Sequence, residues 1–187
     1  MPEPVTLHGP RVTLRPWRLP ADLDALFAIS GDPQAMRHFP DVMDRTESDN
    51  WGLRIAADLA TRGWGFWALE LRGTGMVGVV GIKSAPFEAE FTPAVEIGWR
   101  VATAFQRRGL AEEGARLAMA FGFGPARLDR IVAWTPPANA ASWRLMEKLG
   151  MRRDRVFDHP RLPPGHGLRR HLLYVIDRQG WIADRLG

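Results

Sequence analysis

The pattern of apolar and polar residues changes its period near the middle of the chain. Between residues 95 and 101 apolar and polar side chains alternate, as they do in a strand with one buried face. Between residues 110 and 121 apolar side chains recur at helical spacing instead, with charged residues on the other side. The sequence therefore predicts a strand, a short turn, and a helix that begins at about Gly109.

The same pattern predicts the other elements. Residues 12–15 form a short strand, and the two antiparallel runs of a hairpin precede the central strand to give a meander. A strand after the central helix completes a β-α-β unit with parallel strands. The predicted helices cover residues 23–30, 46–62 and 140–149, and the predicted strands cover residues 65–71, 76–83, 131–135, 153–157 and 171–176.

The predicted fold is an α/β (mixed α+β) one, with a twisted sheet of about six or seven strands and about four helices. An antiparallel N-terminal meander leads into the β-α-β unit. In the helix at residues 140–149, Ala141, Leu145 and Leu149 form the predicted buried stripe, and Asn139 precedes it as an N-cap.

Composition narrows the class of protein. With 187 residues the chain is expected to form a single domain, residues 1–187. It contains no cysteine, which excludes disulfides and a cysteine nucleophile, and its histidines lack the i, i+4 spacing of a zinc helix, so we expect no metal. No apolar run is long enough to span a membrane and no leader is apparent, so we expect a soluble, cytoplasmic protein.

The net charge of +4 does not by itself indicate nucleic acid as a partner. Basic and acidic residues are interleaved along most of the chain, and we expect no nucleic-acid binding. The segment after residue 150 is the exception, since it is rich in arginine and would either be a solvated surface or attract a polyanionic cofactor.

The turn between the central strand and its helix has the chemistry of a phosphate site. The first turn of a helix offers backbone N–H groups and the positive end of the helix dipole. Gly109 has no Cβ to obstruct a ligand, and Arg107 and Arg108 add positive charge. An ordinary turn between a strand and a helix is the alternative interpretation.

The hexapeptide Gln106-Arg107-Arg108-Gly109-Leu110-Ala111 resembles the Q/R-x-x-G-x-G/A signature of GNAT-superfamily N-acetyltransferases, and Glu96–Trp99 resembles their central strand. A second block, Asn139–Ser142 followed by Leu145–Met151, resembles the later N-x-x-S…E-K-x-G-F motif. Together with the segment from Phe157 to Arg161, the resemblance is to the branch of ribosomal-protein N-terminal (alanine/serine) acetyltransferases.

The resemblance implies acetyl-coenzyme A as the acetyl donor and assigns residues to it. The turn would hold the pyrophosphate, the backbone of Trp99, Arg100 and Val101 would align the pantetheine arm, and Asn139 and Ser142 would lie near the cofactor. The residues implied in cofactor binding are Trp99, Arg100, Val101, Gln106, Arg107, Arg108, Gly109, Leu110, Ala111, Asn139 and Ser142.

The leaving thiolate has no obvious proton donor. The family tyrosine corresponds to Met146, which cannot donate a proton, and the only tyrosine, Tyr174, lies in a different segment. Ser142, a water, or no dedicated acid would serve instead. Asn139 and Ser142 are also explained as a helix cap alone.

Two places in the chain offer a general base. Glu96 lies on the polar face of the central strand and is the preferred candidate, with a structural ion pair to a residue such as Arg169 as the alternative. Asp158 and His159 are a second candidate pair for acceptor binding or proton transfer, with a turn-forming role as the alternative.

The sequence thus predicts transfer of an acetyl group from acetyl-CoA to a primary amine, by direct attack in a ternary complex. The acceptor is expected to be a protein N-terminus or a small-molecule amine, and a homodimer is left open. A non-catalytic coenzyme A-binding sensor or regulatory module of the same fold is the alternative function.

Overall fold

The computed structural model describes residues 3–186, and it confirms the mixed α/β class. The strands in this part of the chain are β1 (Leu7–His8), β2 (Val12–Arg15), β3 (Phe66–Leu71), β4 (Gly75–Ser84), β5 (Val95–Val101), β6 (Arg130–Thr135), β7 (Arg152–Asp158) and β8 (Arg170–Asp177). The helices are α1 (Leu23–Ser30), α2 (Pro33–Met36), α3 (Arg45–Arg62), α4 (Leu110–Phe123), α5 (Ala140–Lys148) and α6 (Arg178–Leu186), with a 3₁₀ turn at Thr103–Phe105.

The described chain therefore has eight strands and six helices, slightly more than the sequence predicts. The additional elements have weak patterns. β1 has two residues and α2 has four, so neither is long enough to show a period. α6 carries Gly180 in its interior, which lowers helix propensity by about 1 kcal/mol relative to alanine.

Strand pairing follows the predicted topology. The strands are hydrogen-bonded in the order β1-β2-β3-β4-β5-β6-β8-β7. β1 to β4 pair as antiparallel neighbours, and β8 pairs antiparallel with both β6 and β7. β5 and β6 are parallel, with Glu96 opposite Val132, and α4 connects them. The predicted β-α-β unit is confirmed.

The chain forms two compact units, one comprising residues up to Lys83 with Gly98–Ala118, the other comprising Ser84–Ile97 with the residues from Met119 onward. The organisation as a single domain stays a prediction. Within the first unit, α4 approaches the sheet closely at Gly114, where an added Cβ would lie 3.0 Å from Leu69 and 3.5 Å from Leu14. Glycine at this position therefore sets how near the helix lies to β2 and β3.

The other sheet face of the first unit is covered by α1 and α3. Val79 of β4 packs there in a buried cluster with Leu26, Trp51 and Ile55. Asp44 starts α3 with a capping box, since its side chain accepts from Glu47 N–H and the Glu47 carboxylate accepts from Asp44 N–H. Both observations explain why this helix forms where the sequence predicts it.

In the second unit the predicted stripe of α5 is confirmed at Leu149 and wrong at Ala141 and Leu145. Ala141 is exposed and Leu145 is only half-buried, whereas Met146 and Leu149 are buried. The sets 141, 145, 149 and 142, 146, 149 both have helical spacing, so periodicity alone could not distinguish them. The position of the helix on the sheet decides which side is buried.

The second unit also contains a cluster of aromatic and imidazole rings. Phe91, Val132, Leu173 and Val175 form its buried part, and Phe87, Trp134 and Phe157 pack against them. The His159 ring centroid is 4.7 Å from that of Phe87 and 5.1 Å from that of His171. His159 is thus part of this packing, at the end of β7.

The surroundings of His159 favour the neutral imidazole. Its Nδ1 accepts a hydrogen bond from the N–H of Arg161 at 3.3 Å. Burial, followed by the nearby His171 and Arg161, lowers the pKa of His159 to about 4. The ring is therefore uncharged at neutral pH and acts as an acceptor and a packing group.

We predict that His159 makes stability depend on pH. The unfolded chain takes up a proton at this residue near pH 6.5, whereas the folded protein does so only near pH 4. Stability is therefore fully present above pH 6.5 and falls as the pH decreases toward 4. His159→Asn keeps an acceptor near the Nδ1 position without titrating, so its unfolding free energy should change less over this range. Denaturant unfolding of both proteins from pH 4 to 7.5 measures this, and parallel curves would contradict the prediction.

Candidate active site

The turn after β5 has an unusual backbone conformation. Gln106 donates its side-chain amide to the Val101 carbonyl at 3.0 Å, which ties the turn to the end of the strand. Arg107 and Gly109 then adopt positive φ angles of 61° and 75°. For arginine the left-handed conformation costs about 1–2 kcal/mol, so the surrounding structure must hold it in place. Turns of this type form backbone concavities that bind anions.

The helix begins one residue after the predicted position. Its first intrahelical bond of the i to i−4 type joins Glu113 N–H to the Gly109 carbonyl at 3.1 Å. The geometry of a helix leaves the N–H groups of Leu110 and Ala111 without intrahelical acceptors. Arg107 and Gly109 are exposed, so a ligand can reach the turn from solvent. The second cation of the turn, Arg108, lies with its guanidinium 5.3 Å from the centre of the Phe105 ring.

A residue that the sequence analysis did not identify contacts this turn. Arg11, just before β2, donates from Nε to Glu113 at 2.7 Å and from Nη1 to the Arg108 carbonyl at 2.9 Å. Glu113 also accepts the backbone N–H groups of Arg11 and Val12, and these contacts lower its pKa against the opposing effect of burial. Arg11 and Glu113 are separated by 102 residues, so no local pattern signals the contact.

The face of β5 that was predicted to be polar is buried at Glu96. Glu96 is 9% exposed and lies opposite Val132, so the two side chains share a sheet face within the second unit. The guanidinium of Arg100 lies 4.0 Å from the centre of the Phe39 ring and 4.3 Å from that of Trp51. The Arg100 side chain is thus held between aromatic rings, and its predicted cofactor contact would involve the backbone.

Two hydrogen bonds hold the end of β5, at Val101 and at the next residue, Ala102. The Val101 carbonyl accepts the Gln106 amide, and the next N–H, of Ala102, donates to the Val77 carbonyl at 2.9 Å. The contact of Trp99, Arg100 and Val101 with a pantetheine arm stays a prediction.

Asn139 and Ser142 contact each other at the start of α5. The Asn139 Oδ1 accepts the Ser142 N–H at 3.3 Å, and its Nδ2 donates to the Ser142 Oγ at 3.0 Å. The structure therefore has the predicted cap. A role of either residue in cofactor binding is compatible with this arrangement, since both side chains are only partly buried, and stays a prediction.

The methionine at the position of the family tyrosine and the single tyrosine of the chain are both buried. Met146 is 3% exposed and Tyr174 is 2% exposed. The Tyr174 hydroxyl donates to Glu147 Oε1 at 2.9 Å, and burial together with this carboxylate raises the Tyr174 pKa. Tyr174 therefore anchors α5 to β8 and does not replace the family tyrosine as a proton donor.

Asp158 and His159 contact different partners, and their role in acceptor binding or proton transfer stays a prediction. Asp158 is bonded to Arg169 Nε at 3.1 Å, while His159 packs in the ring cluster. Arg169 also donates to the Leu162 carbonyl. These contacts support the turn-forming interpretation of the pair.

A metal centre and a membrane-spanning helix are two other features that residues 3–186 could contain. In that part of the chain no three His, Asp or Glu side chains are grouped as metal ligands would be. None of the helices described is both long and apolar enough to cross a membrane.

Comparison with known proteins identifies the family. The model of the acetyltransferase (GNAT) domain matches residues 11–152, most of the chain. The uncharacterized N-acetyltransferase YnaD of Bacillus subtilis (strain 168) is 36% identical over 86 residues, which are 46% of this chain and 50% of the relative. This chain thus aligns with half the length of that relative.

Solved structures agree with the family match. A GNAT-family acetyltransferase from Bacillus anthracis superimposes with a TM-score of 0.76 and 25% identity, over 94% of this chain and 99% of the other. A structure from Vibrio cholerae, provisionally assigned as a ribosomal-protein-serine acetyltransferase, gives a TM-score of 0.75 at 17% identity, over 95% and 99% of the two chains. The second likeness shows the fold alone. The chain belongs to the GNAT acetyltransferase family.

Proposed function

We propose that this protein transfers the acetyl group of acetyl-CoA to a primary amine, by direct attack of the amine in a ternary complex. Acetyl transfer is the general reaction of the family. The observation that carries the proposal is the turn of residues 106–111, which opens into the first turn of α4 with positive φ angles at Arg107 and Gly109.

The residues of the turn fit the diphosphate of coenzyme A. The turn is exposed, it carries two arginines, and the helix that follows has 14 residues, enough for a substantial dipole. When bound, acetyl-CoA supplies an acetyl thioester. The turn would fix the diphosphate end, and the strand backbone from Trp99 to Val101 and the Asn139–Ser142 pair would align the rest.

Glu96 is the proposed general base. A lysine-like amine with a pKa of about 10.4 is only about 0.04% neutral at pH 7, whereas an α-amine near 7.8 is about 14% neutral. A protonated amine has no lone pair with which to attack, so a carboxylate that accepts its proton increases the reactive fraction. The position of Glu96 on β5, the strand that leads into the turn of residues 106–111, supports this role.

The class of acceptor is a primary amine on a protein N-terminus or on a small molecule. The resemblance of the segment from Phe157 to Arg161 to the ribosomal-protein N-terminal acetyltransferases favours a protein N-terminus. An α-amine acceptor would depend less on the base than a lysine-like amine, because a larger fraction is already neutral. The dependence of the rate on Glu96 is therefore a way to distinguish the two kinds of acceptor.

A coenzyme A-binding sensor without turnover is the second candidate. The buried Met146 in place of the family tyrosine and the engagement of Tyr174 by Glu147 favour it, because neither residue offers a proton to a leaving thiolate. Glu96, Asn139 and Ser142 favour the enzyme, since a sensor has no need of a base.

The turn is tested by Gly109→Val, with Gly73→Val as a matched control. Gly73 has a φ of 76°, nearly equal to the 75° of Gly109, and lies in the β3–β4 hairpin with open space around it. A Cβ at Gly109 would lie 3.3 Å from Arg11 Nη2, so the Arg11 side chain would have to shift by a few tenths of an ångström. Both variants should lose similar stability, on the order of 1–2 kcal/mol, but only Gly109→Val should weaken acetyl-CoA binding, by about tenfold or more.

Calorimetric titration with acetyl-CoA and thermal unfolding of the same samples provide the measurement. If folded Gly109→Val and wild type bind acetyl-CoA with equal affinity, the turn is not part of the cofactor site.

The base is tested by Glu96→Gln, which keeps the size of the side chain but cannot accept a proton near neutral pH. Turnover should fall by about 10²–10⁴-fold while acetyl-CoA affinity is unchanged. The loss should shrink as the pH rises toward the pKa of the acceptor, where the amine loses its proton unaided. Asp158→Asn serves as the control, because it removes the competing carboxylate candidate.

The readout is the pH–rate profile from pH 6 to 9 with one confirmed acceptor, together with measured cofactor affinity. Profiles of wild type and Glu96→Gln that overlay would make Glu96 a structural carboxylate. Tight coenzyme A binding without turnover of any amine in a broad panel would support the sensor instead of the enzyme.

A further inference from the structure

We propose that Arg11 is a positioning residue for the diphosphate of acetyl-CoA, acting through the turn and through Glu113. The inference rests on the proposed function and names a residue outside the hexapeptide of residues 106–111. Arg11 lies 102 residues before Glu113, just before β2, and reaches α4 within the first unit.

The contacts of Arg11 converge on the turn. Its Nε donates to Glu113 Oε2, its Nη1 donates to the Arg108 carbonyl, and its Nη2 lies 3.3 Å from the position of a Cβ on Gly109. The Arg108 carbonyl lies between the two left-handed residues, Arg107 and Gly109. A hydrogen bond at this point restrains the Arg108–Gly109 peptide, and with it the direction of the Gly109 N–H group.

Arg11 also compensates a charge that opposes the ligand. Glu113 is the fourth residue of α4, and its side chain is only 13% exposed. Its contacts with Arg11 and Val12 keep the carboxylate ionised, since they lower its pKa. A carboxylate in the first turn uses the same helix dipole that would stabilise a diphosphate, and the two negative charges repel. The Arg11 guanidinium neutralises Glu113 and leaves the dipole available to the ligand.

The Glu113 carboxylate is itself part of the structure that holds the turn. Glu113 Oε1 accepts the backbone N–H groups of both Arg11 and Val12, at 2.7 and 3.0 Å, and so fixes the start of β2 to α4. Gly9 makes room for it, because a Cβ there would lie 2.8 Å from the same oxygen. The fold thus needs the Glu113 carboxylate beside the turn. Arg11 neutralises this carboxylate, so that the negatively charged diphosphate can bind nearby.

The test compares Arg11→Gln with Arg45→Gln. Arg45 is a matched control, since its side chain is 50% exposed against 52% for Arg11 and it also bonds to carboxylates, of Asp24 and Asp49. It lies on α3, outside the turn. Calorimetry with coenzyme A should show about a tenfold loss of affinity for Arg11→Gln and no change for Arg45→Gln.

A second readout separates positioning of the diphosphate from a general structural effect. S-acetylpantetheine has the thioester and the pantetheine arm but no diphosphate. The ratio of kcat/KM for acetyl-CoA to kcat/KM for S-acetylpantetheine should fall about tenfold in Arg11→Gln, mainly through KM for acetyl-CoA. A parallel loss for both donors would overturn the proposal, as would coenzyme A affinity within twofold of wild type.

If Arg11→Gln does not fold, the same measurements are made on Arg11→Lys. Lysine keeps the charge beside Glu113 but lacks the planar fork that bonds the carboxylate and the Arg108 carbonyl together. Its coenzyme A affinity should fall by about threefold, and full wild-type affinity would overturn the role of the fork. A wild-type protein that does not bind coenzyme A at all would instead overturn the proposed function, which distinguishes the two failures.

Discussion

The geometry of the candidate site depends on the hydrogen bonds that the Glu113 carboxylate accepts. It accepts two backbone N–H groups from the segment that leads into β2, and this joins the first turn of α4 to the N-terminal part of the sheet. The glycine at position 114 brings the same helix close to β2, β3 and β4. A helix start that is held from two directions can serve as a rigid anion site, because its N–H groups keep their directions when the ligand is absent.

This anchoring has an electrostatic consequence. A carboxylate near a helix N-terminus is favourable for the helix and unfavourable for a neighbouring diphosphate. Three arginines lie at or beside the turn: Arg11 is bonded to the carboxylate, Arg108 lies over a phenylalanine, and Arg107 is exposed with a left-handed backbone. Their surroundings fit different roles in the proposed site, since Arg107 and Arg108 are exposed to a ligand and Arg11 is paired with the protein's own Glu113.

The parts of the fold that the sequence predicted are those encoded locally. The change of period at residue 110, the cap at Asn139 and the β-hairpin all depend on residues close together in the chain, and all are present. The candidate turn was also predictable, because the requirement for a residue with positive φ is met by Gly109 within a short motif. The positive φ of Arg107 has no such signal, since nothing in its side chain favours that conformation.

What the sequence could not predict depends on contacts between distant residues. Arg11 with Glu113, Arg100 with Phe39 and Trp51, and Tyr174 with Glu147 each join separate elements. The buried side of α5 was predicted wrongly for the same reason, because two stripes had equal periodicity and the packing on the sheet chose Met146. Long-range pairs of this kind have no period to detect, and they include the residues that set the electrostatics of the turn.

The burial of Met146 and Tyr174 bears on which proton transfer matters most in the proposed reaction. A thiol with a pKa near that of cysteine, about 8.5, can leave the tetrahedral intermediate as its thiolate, whereas an amine leaves readily only while it is protonated. Once the attacking amine has lost its proton, departure of the thiolate therefore needs little help from an acid. A lysine-like amine, of which only about 0.04% is neutral at pH 7, depends on removal of its proton much more strongly. A site with a carboxylate at Glu96 and a methionine where relatives have a tyrosine is consistent with this asymmetry, since it keeps the group that the chemistry requires most.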